Sequence, residues 1–228
     1  MVNSATVSSS QPPSSVDGRA SRWDQHRTVR RLELIASARK AVHRLGPSAS
    51  MEEIAAASHT SKSVFYRYFG DKDGLRHSMG EVVINQLREA VISAGESKAS
   101  PEEALFSMVH AYLAQAERSP NTYEFVTAHL ETSDSRALAH FFSELTVMMH
   151  ERMADYVHAN RADGASADSL AYWPEGALGM IRSVGESWLR QSPHDPARPS
   201  AELLARRVSD WLLYGISSIT KATRKVSR

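Results

Sequence analysis

The chain has 228 residues, 42% hydrophobic and 23% charged, with 11 Gly, 9 Pro and no Cys. Those proportions exclude a collagen, a wholly disordered chain, a disulfide scaffold and any thiolate chemistry. No apolar run approaches the roughly 18 residues needed to cross a bilayer, so the expectation is an intracellular, cytoplasmic protein of one or two domains. The net charge of +1 hides a division: residues 1–76 hold 12 Lys and Arg against 7 Asp and Glu, and residues 77–228 hold 15 against 19. A basic front end suits a polyanion, and the acidic remainder suits another task.

Residues 1–18 are rich in Ser and Pro and lack apolar periodicity, which predicts a disordered tail. There is no basic start followed by an apolar stretch, so it is not a secretory signal. Arg19, Arg22, Arg27, Arg30 and Arg31 follow, and residues 1–27 read as a disordered basic arm.

The rest has the period of helices. Leu34, Ile35, Ala38, Ala41, Val42 and Leu45 mark the first, which stops at Gly46-Pro47. Ser50-Met51-Glu52-Glu53 is a capping box that opens a short helix over 51–58. A second short helix follows over 62–69, and Asp71 caps a long one running through Leu75, Met79, Leu87 and Val91 to Gly95. Ser100-Pro101-Glu102-Glu103 starts the next, with Leu105, Met108, Val109, Tyr112 and Leu113 as its apolar stripe. Ser119-Pro120 restarts the chain into a shorter helix, and Leu138 to Tyr156 carries another long stripe. Helices marked by Trp173 to Trp188 and by Leu204 to Ile219 complete the chain, with loops over 160–167 and 191–199. No strand alternation or long repeat appears, so the expectation is all-α with nine helices.

Two short helices joined tightly behind a longer one have the form of a helix-turn-helix. In the second, Phe65 and Phe69 are four apart and share a face, with Val64 beside it. Lys62 and Tyr66 share another face, adjoined by Ser63 and Arg67. The phenyl rings are therefore expected inside and the cationic, hydroxyl-bearing side outside. Lys and Arg neutralise phosphate or bond guanine, and hydroxyls bond phosphate oxygens. Ser61 is the natural N-cap of that helix, and Lys72 sits at the start of the next.

The stretch from Ile54 to Leu75, IAAASHTSKSVFYRYFGDKDGL, resembles the DNA-binding signature of the TetR family of bacterial transcriptional regulators. Ile54, Ala55, Ser61, Lys62, Tyr66, Phe69, Lys72 and Leu75 carry the match. The resemblance implies a helix-turn-helix DNA-binding domain over 28–76 and a helical effector-binding and dimerisation domain over 77–228. It implies that Tyr66 and Lys72 contact phosphate and Lys62 a base or phosphate, with Thr60, Ser63 and Arg67 as candidates for base edges. Two positions depart from the family pattern. His59 stands where a Gly is usual, and His is among the residues that tolerate the left-handed turn. Thr60 replaces a usual aliphatic residue.

In the C-terminal half, Phe106, Tyr112, Tyr123, Phe141, Phe142 and Met149 are the candidates to line a cavity for a small apolar or amphipathic effector. The resemblance implies a homodimer built on the last two helices, for which Gly176, Gly179, Ser183, Trp188, Trp211, Leu212 and Ile216 are the candidates. Two recognition helices about 34–36 Å apart then imply a palindromic double-stranded operator. The histidines lack metal-ligand spacing, and there is no GxSxG, HExxH or phosphate loop. The expectation is a regulator, most simply a repressor, with no metal, cofactor or catalytic site. The alternative is a helical small-molecule-binding protein or enzyme that keeps the helix-turn-helix without regulating transcription.

Overall fold

The computed structural model describes residues 17–96, 100–130, 140, 143–151, 153 and 172–215. Among them there are helices and no strand. The helices are α1 (Asp17–Leu45), α2 (Met51–Ala57), α3 (Lys62–Phe69), α4 (Lys72–Glu96), α5 (Pro101–Glu117), α6 (Pro120–Leu130), α7 (143–151), α8 (Trp173–Leu189) and α9 (Ala201–Tyr214).

Helix starts follow local chemistry. Ser50 Oγ accepts from the Glu53 amide at 3.2 Å while the Glu53 carboxylate takes the Ser50 amide at 2.8 Å, completing the capping box. Asp71 caps α4 through the Gly74 amide at 2.8 Å, Ser100 caps α5 ahead of Pro101, and Ser200 caps α9. Gly46 closes α1 with φ of 97°, its amide bonded to the Val42 carbonyl at 2.9 Å. The chief departure is the start of α1. It begins at Asp17, so residues 17–27, expected in a disordered arm, are helical. After Gly18 the arginine-rich stretch holds no Gly or Pro, so nothing local stops the helix running back from its packed half. Residues 1–16 lie outside the described residues.

The side chains form two cores. One gathers Leu34, Ile35, Ala38 and Val42 of α1, Ile54 of α2, Phe65 and Phe69 of α3, Leu75 and Met79 of α4, and Phe125 and Val126 of α6. The other gathers Ile84, Leu87 and Val91 of α4, Leu105, Met108, Val109 and Leu113 of α5, and residues of α7, α8 and α9. The passage from one to the other falls along α4 between Met79 and Ile84. One continuous helix therefore contributes side chains to both cores. Helix α6 departs from a simple division of the chain, because it sits beyond residue 77 yet supplies two side chains to the N-terminal core.

Candidate nucleic-acid interface and internal cavity

Helix α3 is anchored by its rings. Phe65 is fully buried and Phe69 is 7% exposed, with centroids 5.5 Å apart. The Arg31 guanidinium stands over Phe69 at 5.9 Å and donates to Ser78 Oγ at 2.6 Å, which ties α1 and α4 behind it. Ser61 caps α3, accepting from the Val64 amide at 3.4 Å. The backbone of the connection is held by Thr60 N donating to the Ala55 carbonyl at 3.1 Å. His59 has φ of 51°, the left-handed conformation expected of it, and is the sole non-glycine of that kind among the described residues.

The opposite side of α3 faces outward: Lys62, Ser63, Tyr66 and Arg67 are all exposed. Sequence reading missed the residue that organises it. Glu52 of α2 ion-pairs with Lys62 Nζ and accepts from the Tyr66 hydroxyl at 3.5 Å. Lys62 also lies over the Tyr66 ring at 5.4 Å. The hydrogen bond to Glu52 raises the Lys62 pKa, and the same bond lowers that of Glu52. Lys72 lies at the edge of this surface, donating to the Ser48 carbonyl at 3.0 Å and standing 5.6 Å from the Phe125 ring centroid. Desolvation there lowers its pKa.

Among α4, α5, α6, α7 and α8 lies a cavity of about 360 Å³, within the size range of small-molecule sites. Most of its wall is apolar, with Val83, Ile84, Leu87, Val91, Leu105, Met108, Val109, Leu145, Leu178 and Ile181. Of the residues expected there, Tyr112, Tyr123 and Met149 line it. Phe106 does not. It stacks on His110 at 5.9 Å and under the Arg206 guanidinium at 4.5 Å, because its position on α5 turns it away from the Leu105–Val109–Tyr112 face. Phe141 and Phe142 lie outside the described residues. The Tyr112 and Tyr123 hydroxyls meet at 2.7 Å, and burial raises both phenols above their ordinary pKa. Gly185 of α8 makes room for this pair: a Cβ there would stand 2.9 Å from Tyr112 Cε1. Charged residues also line the cavity, namely Glu124, Arg182, Glu186 and Arg190, with Arg182 paired to Glu186 at 3.2 Å.

The residues expected at a dimer interface separate. Gly176, Gly179 and Ser183 are exposed on one side of α8, together with Met180. Trp188 belongs to the chain's own interior. It is 2% exposed, its Nε1 donates to the Pro199 carbonyl at 2.8 Å, and the Arg198 guanidinium covers it at 4.0 Å. The reason is helical phase: Trp188 shares the buried stripe of Ala177 and Gly185, opposite the exposed glycines. Trp211 and Leu212 are half-buried against the C-terminal core, and Ile216 lies outside the described residues. Among the described residues no group of His, Asp and Glu is arranged to hold a metal, and no helix is long and apolar enough to cross a membrane.

The pattern for bacterial regulatory proteins of the tetR family matches residues 34–79, the segment from the packed half of α1 into α4. An HTH-type transcriptional regulator of Mycobacterium tuberculosis is 31% identical over 193 residues, covering 82% of this chain and 78% of its own. The chain belongs to the TetR family of transcriptional regulators. Solved TetR-like structures share its fold. The fatty acid degradation regulator FadR of Bacillus halodurans superposes with a TM-score of 0.63 at 17% identity, covering 82% of this chain and 95% of that one. The regulator FadR of Bacillus subtilis, solved in complex with stearoyl-CoA, superposes with a TM-score of 0.62 at 15% identity, covering 81% and 98%. As a TetR-family regulator the chain carries its helix-turn-helix in α2 and α3 and a helical domain behind it.

Proposed function

We propose that this TetR-family regulator acts in the cytoplasm as a homodimeric repressor that binds a palindromic operator and is released by an amphipathic acyl effector. The observation that carries the DNA-binding half is the outward face of α3, held by the buried Phe65 and Phe69. In this reading Tyr66, Lys72 and the α3 N-terminus at Ser61 take phosphates, Lys62 takes a base or phosphate, and Thr60, Ser63 and Arg67 read base edges. The exposed small residues Gly176, Gly179 and Ser183 of α8 are where a second copy approaches. The two recognition helices then meet successive major-groove faces about 34–36 Å apart.

The effector reading is supported by an apolar cavity that also carries charged residues, and by the stearoyl-CoA complex of the FadR relative. Helix α6 provides the route of release. Tyr123 lines the cavity while Phe125 packs in the N-terminal core. The start of the same helix is bonded to α1, with Asn121 Nδ2 donating to the His43 carbonyl at 2.8 Å and Ser119 Oγ 2.9 Å from His43 Nδ1. An occupant that displaces α6 therefore tilts the helix-turn-helix against the rest of the chain. It can do so only to the extent that it binds the two arrangements with different affinity.

Selection of bound duplexes from a random DNA pool, with and without long-chain acyl-CoA, tests the reading. A recovered palindrome, affinity that falls steeply between 50 and 200 mM salt, and loss of binding with acyl-CoA are expected. Recovery of no preferred sequence overturns it.

A further inference from the structure

The cavity holds a polar feature in its apolar surroundings. Tyr112 of α5 and Tyr123 of α6 both line it, and their hydroxyls meet at 2.7 Å. Two phenols carry two protons, and a bond between them uses one. Among the described residues neither hydroxyl makes a hydrogen bond to a further protein group, and the charges that bear on both phenols are Glu186 and Arg182 of the same cavity wall. A phenol is protonated at neutral pH and burial shifts both of these further in that direction, so the pair is a net donor of one O–H. A buried hydroxyl proton costs free energy unless an acceptor meets it. The arrangement is built by the surrounding elements. Tyr112 fills the space that Gly185 leaves on α8, where a Cβ would stand 2.9 Å from its Cε1 and 3.4 Å from its hydroxyl.

We propose that the Tyr112–Tyr123 hydroxyl pair is the recognition point for a carbonyl oxygen, donating one O–H to an acyl ligand whose chain lies along the apolar wall. This rests on the acyl-effector reading above. A thioester, ester or amide carbonyl accepts without offering a proton of its own, which matches a net donor. Because either oxygen can supply the proton, the pair has a property that a lone tyrosine lacks. Replacing one tyrosine by Phe frees the proton of the other, so each single variant still has a donor. Only the double variant has none.

The test compares lauroyl-CoA with S-dodecyl-CoA, a thioether with the same chain and headgroup and no carbonyl. Dissociation constants are measured for the full chain, for Tyr112→Phe, for Tyr123→Phe and for the double variant, with thermal melting as the check that each is folded. The thioester is expected to bind roughly two- to twelve-fold tighter in the native chain and in both single variants, the range of one net hydrogen bond. In the double variant the ratio is expected to fall to about one. A ratio of about one in the native chain overturns the proposal even if the double variant does not fold. An undiminished ratio in a folded double variant overturns it too. If the native ratio holds but neither compound alters operator binding, the carbonyl site stands and the effector reading fails. If neither compound binds, both fall.

Discussion

The Arg76 guanidinium of α4 stands over the ring of Phe125 of α6 at 5.1 Å, and that ring is fully buried. Lys72 approaches the same ring at 5.6 Å. Helix α6 thus touches the cavity through Tyr123 and, two residues later, the helix-turn-helix side through Phe125. In the proposed release mechanism, movement at one is carried to the other along this helix.

Phe125→Leu keeps an apolar filler but loses the aromatic face that Arg76 and Lys72 cover. It is expected to weaken effector-induced release by about 0.5–2 kcal/mol, the size of a coupling change between sites. Operator affinity without effector changes less. Titrating operator with and without acyl-CoA measures both; an equal loss in the two titrations assigns Phe125 to folding alone.

Phe65→Ala empties the centre of the N-terminal core and is expected to cost about 3–5 kcal/mol. The cost falls on the core that includes α3, so chemical denaturation followed by probes in each half should separate into two transitions, the N-terminal one first. A single shifted transition would mean that α4 and α6 make the two cores one cooperative unit.

Arg67 and Tyr66 are expected to fail differently. Arg67→Ala should cost about 1–3 kcal/mol on the preferred operator and relax the choice at one base position. Tyr66→Phe should weaken all duplexes alike. Binding to the selected operator and to a scrambled duplex of equal length distinguishes them, and matching behaviour of the two variants would remove Arg67 from base reading.

Glu52→Gln releases Lys62 from its carboxylate partner. Affinity for random duplex is expected to rise, with the salt slope steeper by about one. Acid should mimic the substitution. Lys62 holds the Glu52 carboxyl below its ordinary pKa, so the pair's contribution is present above the unfolded carboxylate value and is lost as pH falls through the lowered one. An unchanged salt slope in the variant would show that Lys62 already reaches phosphate with Glu52 in place.

Gly185→Ala puts a methyl against the Tyr112 ring and is expected to cost about 1–3 kcal/mol by overpacking. Acyl-CoA affinity should fall with it, because the tyrosine that moves lines the cavity. Calorimetric melting and ligand titration on the same preparation check the two effects together.

Short-range signals made much of this readable in the residues alone. Ser50, Ser61, Asp71 and Ser100 each bond an amide within three residues, so the helix starts they define are written locally. Four-residue spacing set the buried side of α3, and the turn at His59 needed only a residue that tolerates positive φ. Partners between helices were not readable in this way. That Glu52 meets Lys62, that Phe106 turns towards Arg206 while Tyr112 meets Tyr123, that Trp188 is internal and that Phe125 serves the N-terminal core were decided only when whole helices packed. Periodicity states which side of a helix is apolar. Which neighbour that side meets depends on how several such surfaces interlock, and residues far apart in the chain set that jointly.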